Sequence, residues 1–401
     1  MNILIITAIY PEPKEYGIKD DTLIVHYFAR NWVKMGHRVM VLHPYYNGIG
    51  NIKHYLSTEV HKIKCNKKDG VEVIFGEVQM FVPHQLKPLR WRSLLLAKRM
   101  KRYMKEHFPD FVPDVLSVHF PVILYEFMSQ FLDFPKLAVF HGTDMRLLQD
   151  LNENKRNHIV EKLNKIYDVL AYRSPKLRQT ANLMMLNDSK AEVLITGIDN
   201  KLLANFAVIE RKCKKDKMHT LNIVFAGKIV NQKRINIVLQ ALSRIKNDVE
   251  FRFDIIGDGP ALKELKNISN QCGINDYVVF HGRKSREEVS KYMSEADMFI
   301  MVSTNETLGL VYLEAMAQGC ITVGSRGEGI DGIIVDGKNG YLVDPYNISN
   351  ISDTIKSIYN SSQKTREKII LNAYNDMKNI TDIAMSNKYL NTLKKIINKN
   401  E

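Results

Sequence analysis

The sequence predicts an α/β fold built from parallel sheets, and three observations support this prediction. Short apolar runs that are typical of buried strands alternate with segments of helical periodicity along most of the chain. Glycine-containing turns directly follow several of these runs, as they do at the carboxyl edge of parallel sheets. The alternation is interrupted between about Lys201 and Thr220. We therefore expect two doubly wound α/β domains.

The predicted strands are short, and helical segments between them can serve as the crossovers that parallel strands need. In chain order the strands are 3–7, 39–42, 71–75, 115–118, 137–140, 193–195, 222–225, 251–256, 278–280, 298–302 and 321–323. The first apolar run is too short for a signal peptide or a membrane span and is followed by Pro11 and Pro13. We therefore interpret it as a buried strand.

The interruption contains a charged, weakly periodic segment, 209–217, which predicts an interdomain linker. We place an N-terminal domain at residues 1–205 and a C-terminal domain at residues 206–380. After Pro345 the pattern is helical to the end of the chain.

The composition of the 401-residue chain is that of a globular protein, with 45% hydrophobic and 25% charged residues. Its cysteines are scattered and show neither metal-ligand spacing nor a compact disulfide framework; they are Cys65, Cys213, Cys272 and Cys320. We therefore predict no metal site and expect the reducing environment of the cytoplasm.

The formal net charge of +13 predicts anionic partners, such as nucleotide diphosphates or anionic lipid surfaces. From Lys87 to Lys105, basic residues interleave with apolar ones. This stretch, 87–105, has two interpretations that the sequence leaves open. It is either a helix that lies on a membrane surface or a solvated basic face whose apolar side packs onto the domain. Nucleic acid is not an expected partner, because no recognition motif accompanies the charge.

The segment from Ser303 to Gly319 is the most informative for function, because it places Glu306 and Glu314 on either side of Gly309. An apolar run precedes it, and apolar residues recur at helical spacing after the glycine, so Gly309 lies near a helix start. The free amides and positive dipole end of a helix start attract phosphate. The two carboxylates can accept hydrogen bonds from sugar hydroxyls. The segment therefore predicts a site for a nucleotide sugar.

Upstream of this segment, glycines and cations follow other predicted strands. Lys228 and Lys233 come after one strand, and two lysines close to a phosphate can stabilise negative charge without a metal ion. Gly257 and Gly259 form a turn after the next strand, and Arg283 follows the strand after that. The turn at Gly257 and Gly259 is predicted to lie at the carboxyl edge of the sheet, where nucleotides bind in such folds.

The N-terminal half contains two further candidates. His141 follows a predicted strand and precedes Gly142, and this position favours a functional site over a structural role. Asp144 is expected to support this histidine or to reach a second substrate that accepts the sugar. The loop after the first strand ends in Gly17, where a glycine permits close backbone approach to a ligand.

Taken together, these motifs resemble those of the retaining glycosyltransferases of family 4, or glycosyl transferases group 1. The resemblance covers nearly the full chain and is most specific from Phe225 to Gly332. It implies the GT-B fold, in which two Rossmann-like domains face each other across a cleft. It also implies that the last helix, 381–401, packs back onto the N-terminal domain.

The resemblance assigns roles to individual residues. It implies that Glu306 contacts the transferred sugar and that Glu314 contacts the ribose. The residues implied to act in transfer are Glu306, His141, Lys233 and Lys228; those implied to bind the donor are Gly17, Gly257, Gly259, Arg283, Leu308, Gly309, Leu310 and Glu314. Several positions depart from the family pattern. Lys228 replaces the usual Arg, Arg234 a usual Gly, and Asp331 a usual Glu. In addition, Ile18 follows Gly17 where the family often has a second glycine, and Thr196 replaces a usual Asn.

The implied activity is transfer of a sugar from a nucleotide diphosphate to an acceptor hydroxyl, with retention of anomeric configuration and without a metal. The basic stretch suggests a lipid-linked or growing saccharide as acceptor, in bacterial capsule, exopolysaccharide or lipopolysaccharide synthesis, at the inner face of the membrane. Two alternatives stay open: a nucleotide-sugar epimerase of related fold, and a non-catalytic binding or scaffold subunit. The base, the sugar and the linkage are not predictable from the sequence.

Overall fold

The computed structural model describes residues 1–11, 24–48, 63–80, 90–216 and 219–400. These residues divide into two compact units. The first unit contains Met1–Arg173, Leu177–Leu194 and Ser386–Glu401, and the second contains Ser174–Lys176 and Ile195–Met385.

The sheet of the first unit has eight strands among the described residues, in the order β3-β4-β2-β1-β5-β6-β7-β8. Every neighbouring pair is parallel except β3 and β4. The strands are β1 (Asn2–Thr7), β2 (Arg38–Gly48), β3 (Ile63–Lys68), β4 (Val71–Met80), β5 (Val115–His119), β6 (Lys136–Phe140), β7 (Val169–Tyr172) and β8 (Ala191–Val193).

The described helices before the second sheet connect these strands and cover an apolar core. They are α1 (Ile24–Lys34), α2 (Arg90–His107), α3 (Pro121–Leu124), α4 (Gly142–Gln149), α5 (Glu153–Ile166) and α6 (Pro175–Leu183). The core strands β5 and β6 are buried along their whole length and β1 from its second residue onward, as parallel strands covered on both faces are.

The sheet of the second unit has six strands among the described residues, in the order β11-β10-β9-β12-β13-β14, and all its pairs are parallel. The strands are β9 (Leu221–Ala226), β10 (Phe251–Ile256), β11 (Val278–Gly282), β12 (Met298–Ile300), β13 (Ile321–Ser325) and β14 (Tyr341–Val343). The helices that follow are α7 (Phe206–Cys213), α8 (Ile235–Ile245), α9 (Leu262–Gln271), α10 (Arg286–Glu295), α11 (Leu310–Ala317), α12 (Ile348–Tyr359), α13 (Gln363–Lys378) and α14 (Asp382–Asn400).

The predicted α/β class is confirmed, and most predicted strands are present with shifted ends. The strand predicted at 193–195 lies at Ala191–Val193 instead, where it forms the short edge strand β8. The prediction missed three strands: β3, β7 and β14. The sequence of β3, Ile63–Lys68, is mostly polar because this edge strand is largely exposed on its outer side.

The predicted linker is also corrected. Its charged segment is largely helix α7, which buries Ile209 and Cys213 against the second unit. The chain passes into the second unit at Ile195, earlier than the predicted boundary at 205/206, because the residues after Ile195 pack there. For example, Ala204 N donates to Ala317 O at 3.1 Å, and Tyr374 Oη donates to Ala204 O at 2.9 Å.

Helix α14 begins in the second unit, and its residues from Ser386 onward belong to the first. Tyr389 lies fully buried there, with its ring edge-on to the rings of Phe28 and Trp32. Its hydroxyl lies 2.6 Å from Ser117 Oγ on β5. The end of the chain therefore contributes to the core of the first unit.

Helix α2 contains most of the basic stretch 87–105, and Lys87 lies outside the described residues. The apolar side of α2 is buried in the core of the first unit through Leu96, Ala97, Met100 and Met104. Its basic side chains at Lys98, Arg102 and Lys105 are exposed. Since most of the apolar side packs onto the domain, the surface of α2 that remains for a membrane is mainly basic, with Trp91, which is 56% exposed, near the start of the helix. Within the described residues, no helix combines the length and the apolar character needed to cross a bilayer.

We predict that Gly257→Ala strongly destabilises the second unit. Gly257 has φ 143°, and a Cβ atom there would overlap the carbonyl oxygen of Gly227. We expect the free energy of unfolding to fall by about 3 kcal/mol or more, because two main-chain segments would have to separate. Urea unfolding followed by far-ultraviolet circular dichroism measures the change.

The matched control is Gly337→Ala, because Gly337 also has a positive φ, 71°, but no atom within 4 Å of the added Cβ. This control should lose only about 1–2 kcal/mol, from backbone strain alone. Fluorescence reports the first unit separately, since Trp32 and Trp91 both lie in it. Equal losses for the two glycine variants would contradict the close approach of the two loops.

Candidate functional site

The candidate site of the second unit lies at the carboxyl ends of its parallel strands. In the strand order, β9 has β10 on one side and β12 on the other. Strands β10 and β11 extend the sheet in one direction and β12 to β14 extend it in the other, so the winding reverses between β9 and β12. Crevices at such a switch point are where ligands bind in open α/β sheets. The loops after β9 and β12 carry Lys228, Lys233 and Glu306.

The structure joins two of the predicted residues in an ion pair, Lys233 Nζ with Glu306 Oε2. Both side chains are 17% exposed, so the pair is largely shielded from water but open on one side. The loops that carry them are also bonded. Thr304 N donates to Gln232 O at 3.0 Å, and Gln232 Nε2 donates to Asn305 O at 2.9 Å. The cation and the carboxylate are therefore held together by their backbones as well as by their charges.

The main chain of Glu306 is fixed from the other side by the loop after β13. Glu306 N donates to Glu328 Oε2 at 3.0 Å, and Gly329 N donates to Glu306 O at 3.0 Å. Position 329 must be glycine, because a Cβ there would overlap the carbonyl oxygens of Glu306 and Thr307. This bracing supports Asn305, which has a left-handed φ of 57°.

The acidic residue that reaches the site from this loop differs from the one predicted. The sequence comparison with the family pattern pointed to Asp331. In the structure Asp331 Oδ2 accepts a hydrogen bond from Gly327 N at 2.6 Å and closes its own turn. Glu328, three residues earlier, makes the contact with Glu306.

Helix α11 begins where the sequence predicted it, with Gly309 as its N-cap at φ 75°. Leu308 is buried in the core and anchors the loop, while Leu310 is only partly buried. The first amides of a helix have no acceptor within the helix, and the dipole makes this end positive. The start of α11 can therefore bind an anionic group next to Glu306.

Glu314 lies on α11, and its carboxylate pairs with the guanidinium of Arg286 on α10. Arg286 Nε lies 3.2 Å from Glu314 Oε1, and its Nη2 donates to the same oxygen. Glu314 is 13% exposed, whereas Arg286 is 39% exposed. The cation therefore satisfies a largely buried carboxylate.

The predicted glycine turn packs directly on the loop that carries Lys228. Gly227 N donates to Ile256 O at 3.0 Å, and Ile229 N donates to Asp258 O at 2.9 Å. A Cβ at Gly259 would overlap the carbonyl oxygen of Ile229. The glycines thus permit the close approach of two loops, and the side chain of Lys228 stays exposed between them.

Arg283 is exposed directly after β11. Its loop is joined to the glycine turn, because Gly257 N donates to Gly282 O at 2.9 Å. The predicted residues of the C-terminal half therefore lie on connected loops at one edge of a sheet. His141 belongs to the first unit. Gly17 lies outside the described residues.

His141 follows β6 and is the N-cap of α4. Its ring stacks on Phe120 with centroids 4.0 Å apart, and its Nε2 lies 3.2 Å from Nδ1 of His119. Burial, the neighbouring His119 and the charge of Arg173 hold the pKa of His141 well below its usual range. His141 is therefore neutral near pH 7 and can form hydrogen bonds without carrying charge.

Asp144 supports His141 through the main chain. Its carboxylate oxygens accept hydrogen bonds from His141 N at 2.8 Å and from Val122 N at 3.0 Å. Burial raises the pKa of Asp144 to about 7, although these backbone amides oppose the shift. Since Asp144 is fully buried, it orients the loop and does not itself face a ligand.

Sequence reasoning missed three residues that hold the candidate groups in place: Glu328, Arg286 and His119. His119 ends β5, the neighbour of β6, so the parallel order of strands would have placed it beside His141. Arg286 follows Ser285, which forms a capping box with Glu288, and this pattern is visible in the sequence. Only the structure shows that Glu328 rather than Asp331 reaches Glu306.

Comparison with known proteins places these residues in a family context. Residues 209–376 match the family model described as Glycosyl transferases group 1. The chain is 25% identical over 234 residues to the uncharacterized glycosyltransferase MJ1178 of Methanocaldococcus jannaschii, a match covering 58% of this chain and 60% of that protein. The chain thus spans about three fifths of the length of this relative.

Two solved structures are similar over essentially the whole chain. Sucrose-phosphate synthase from Thermosynechococcus elongatus is 13% identical with a TM-score of 0.70, and the match covers 100% of both chains. HepE from Anabaena, solved with UDP and glucose, is 15% identical with a TM-score of 0.68, covering 98% of this chain and 100% of that one. At these identities the likeness shows the fold alone. The chain therefore has a GT-B fold, and its residues 209–376 are similar to the glycosyl transferases group 1 family.

Proposed function

We propose that the protein is a retaining glycosyltransferase of family 4, which moves a sugar from a nucleotide diphosphate to an acceptor hydroxyl. The observation that carries this proposal is the ion pair of Lys233 and Glu306 beside the start of α11. It places a cation, a carboxylate and free helix amides together, which are the groups that a sugar diphosphate needs. The family match over residues 209–376 supports it.

The proposed donor site uses each group for one part of the ligand. Lys233, Lys228 and the first amides of α11, near Leu308 to Leu310, hold the diphosphate. Glu306 accepts hydrogen bonds from hydroxyls of the transferred sugar, and Glu314 accepts them from the ribose. HepE, which shares the fold, was solved with UDP and glucose, and this supports a nucleotide-sugar ligand. The glycine turn at Gly257 and the loop at Arg283 lie on the nucleotide side.

In the proposed reaction the acceptor oxygen attacks the anomeric carbon from the face that the diphosphate leaves. The bond between the anomeric carbon and the phosphate oxygen breaks as the new glycosidic bond forms, and the departing oxygen takes the acceptor proton. Lys233, Lys228 and the helix amides stabilise the growing negative charge. Glu306 positions the sugar, and neutral His141 is proposed to orient it by hydrogen bonding.

We further propose that the acceptor is a lipid-linked or growing saccharide and that the protein works at the cytoplasmic face of a membrane. The exposed basic face of α2, at Lys98, Arg102 and Lys105, supports this proposal. Attraction would be mainly electrostatic, because most apolar side chains of α2 are buried in the core and Trp91 is the large apolar side chain of this helix that stays exposed. A nucleotide-sugar epimerase is the rival activity, and it would convert the donor without any acceptor.

We predict that Glu306→Ala lowers sugar transfer at least about 100-fold, because the sugar loses its positioning carboxylate and Lys233 loses its partner. Nucleotide affinity should change only a few-fold. The rate is measured as nucleoside diphosphate release in the presence of acceptor, and affinity is measured by calorimetry. Glu264→Gln, an exposed carboxylate on α9, is the control and should match the wild type.

Retained turnover of the Glu306→Ala variant with normal donor affinity would remove Glu306 from the proposed mechanism. Incubation of the wild type with donor alone tests the rival activity. An epimeric nucleotide sugar formed without acceptor would favour the epimerase over the transferase.

We predict that the wild type binds vesicles containing anionic phospholipid at low salt and releases them as salt is raised. Replacing Lys98, Arg102 and Lys105 together by Gln should weaken binding about 100-fold, since each basic residue near the surface contributes about 1 kcal/mol. Cosedimentation measures the bound fraction. The control replaces the exposed lysines Lys263, Lys291 and Lys364 by Gln. Wild type that ignores anionic vesicles at low salt would refute the membrane proposal.

A further inference from the structure

Arg173 carries a charge in the interior of the first unit. It follows β7 directly and is 3% exposed. Its Nη1 atom is buried and has no hydrogen-bond partner among the described residues. A guanidinium group has five N–H donors and stays protonated under all ordinary conditions. The fold therefore keeps a permanent cation away from water with part of its hydrogen-bonding capacity unused.

No carboxylate in the described part of the chain forms an ion pair with this cation. Burial lowers the pKa of Arg173 to about 10, and Tyr389 gives the only opposing influence. Asp144 is buried in the first turn of α4, just after the neighbouring strand β6. Its carboxylate oxygens accept hydrogen bonds from the amides of His141 and Val122. Among the described residues, therefore, no carboxylate compensates the charge of Arg173.

Two neutral histidines in the described part of the unit lie close enough to Arg173 to be influenced by its charge. His119 and His141 end or follow the adjacent strands β5 and β6, and burial together with the charge of Arg173 holds the pKa of both well below the usual range. The guanidinium carbon of Arg173 lies 5.5 Å from the centre of the Phe28 ring, which gives a weak cation–π contact. The described surroundings thus offer an incoming anion a cation and imidazole groups, and none of the described carboxylates pairs with that cation.

We propose that Arg173 anchors an oxyanion-binding site in the first unit, which takes a phosphate or carboxylate group of a substrate. Burying a charge without a partner destabilises a fold, so an apolar side chain would serve a purely structural role better. A bound oxyanion satisfies the free N–H donors and offsets the buried charge. If the proposed function is correct, the oxyanion belongs either to the acceptor or to the donor diphosphate.

The first test is the stability of Arg173→Met, which keeps much of the side-chain volume and removes the charge. We expect its melting temperature, measured without oxyanions, to be higher than that of the wild type by about 2 °C or more. Arg173→Lys keeps a charge and serves as the conservative variant. This measurement needs neither donor nor acceptor, so its outcome does not depend on transferase activity.

The second test is stabilisation by inorganic phosphate and by malonate, at constant ionic strength set with sodium chloride. Both anions should raise the melting temperature of the wild type, and the apparent affinity should fall at least tenfold in Arg173→Met and less in Arg173→Lys. Lys233→Met removes the proposed diphosphate cation of the second unit and should keep the Arg173-dependent response. An unchanged response of Arg173→Met to both anions overturns the proposal.

A nucleoside diphosphate distinguishes the two sources of the oxyanion. If the donor supplies it, Arg173→Met weakens nucleoside diphosphate binding as well as phosphate binding. If the acceptor supplies it, nucleoside diphosphate binding keeps its wild-type affinity while the phosphate and malonate responses are lost. A lower melting temperature for Arg173→Met, with all anion responses intact, assigns Arg173 a structural role and rejects the site.

Discussion

Parallel pairing of the strands in the second unit is the constraint on which its candidate site depends. Every pair in that sheet is parallel, so the carboxyl ends of the strands meet at one edge. Loops that are distant in sequence are thereby brought into hydrogen-bonding distance. Glu306 is held by Gln232 and Lys233 on one side and by Glu328 and Gly329 on the other. A carboxylate placed in this way needs little reorganisation when a ligand binds.

The two units differ in how their buried ionisable groups are compensated. In the second unit each candidate carboxylate has a cation: Glu306 pairs with Lys233, and Glu314 pairs with Arg286. In the first unit His119 and His141 are kept neutral by burial, while the Nη1 atom of Arg173 has no hydrogen-bond partner among the described residues. An ion pair stabilises a site before its ligand binds. A buried cation without a partner lowers the stability of the fold, and a bound anion can offset that loss. The candidate carboxylates of the second unit are therefore stabilised in the absence of a ligand, whereas the proposed site at Arg173 would be stabilised by its ligand.

Local sequence patterns predicted much of this structure. The predictions that failed depended on contacts between residues that are distant in the sequence. The helix start at Gly309 and the turn at Gly257 were predictable, because apolar periodicity and glycine position are local signals. The ion pair of Lys233 with Glu306 joins residues 73 positions apart and could not be read from spacing. The family pattern pointed to Asp331, and Glu328 was missed for the same reason, since only loop packing decides which acid reaches Glu306. Charge alone suggested a linker at α7, where burial of Ile209 instead makes a helix.

The central claim is that the second unit binds a nucleotide sugar through Lys233, Glu306 and Glu314. A panel of nucleotide sugars screened by thermal unfolding, with Lys233→Met and Glu314→Ala beside the wild type, tests it most directly. We expect at least one compound to raise the melting temperature of the wild type, since a ligand at ~100 times its dissociation constant adds roughly 2.7 kcal/mol to folding. Both variants should lose most of that gain. No response of the wild type to any member of the panel, or an equal response in all three proteins, would contradict the account.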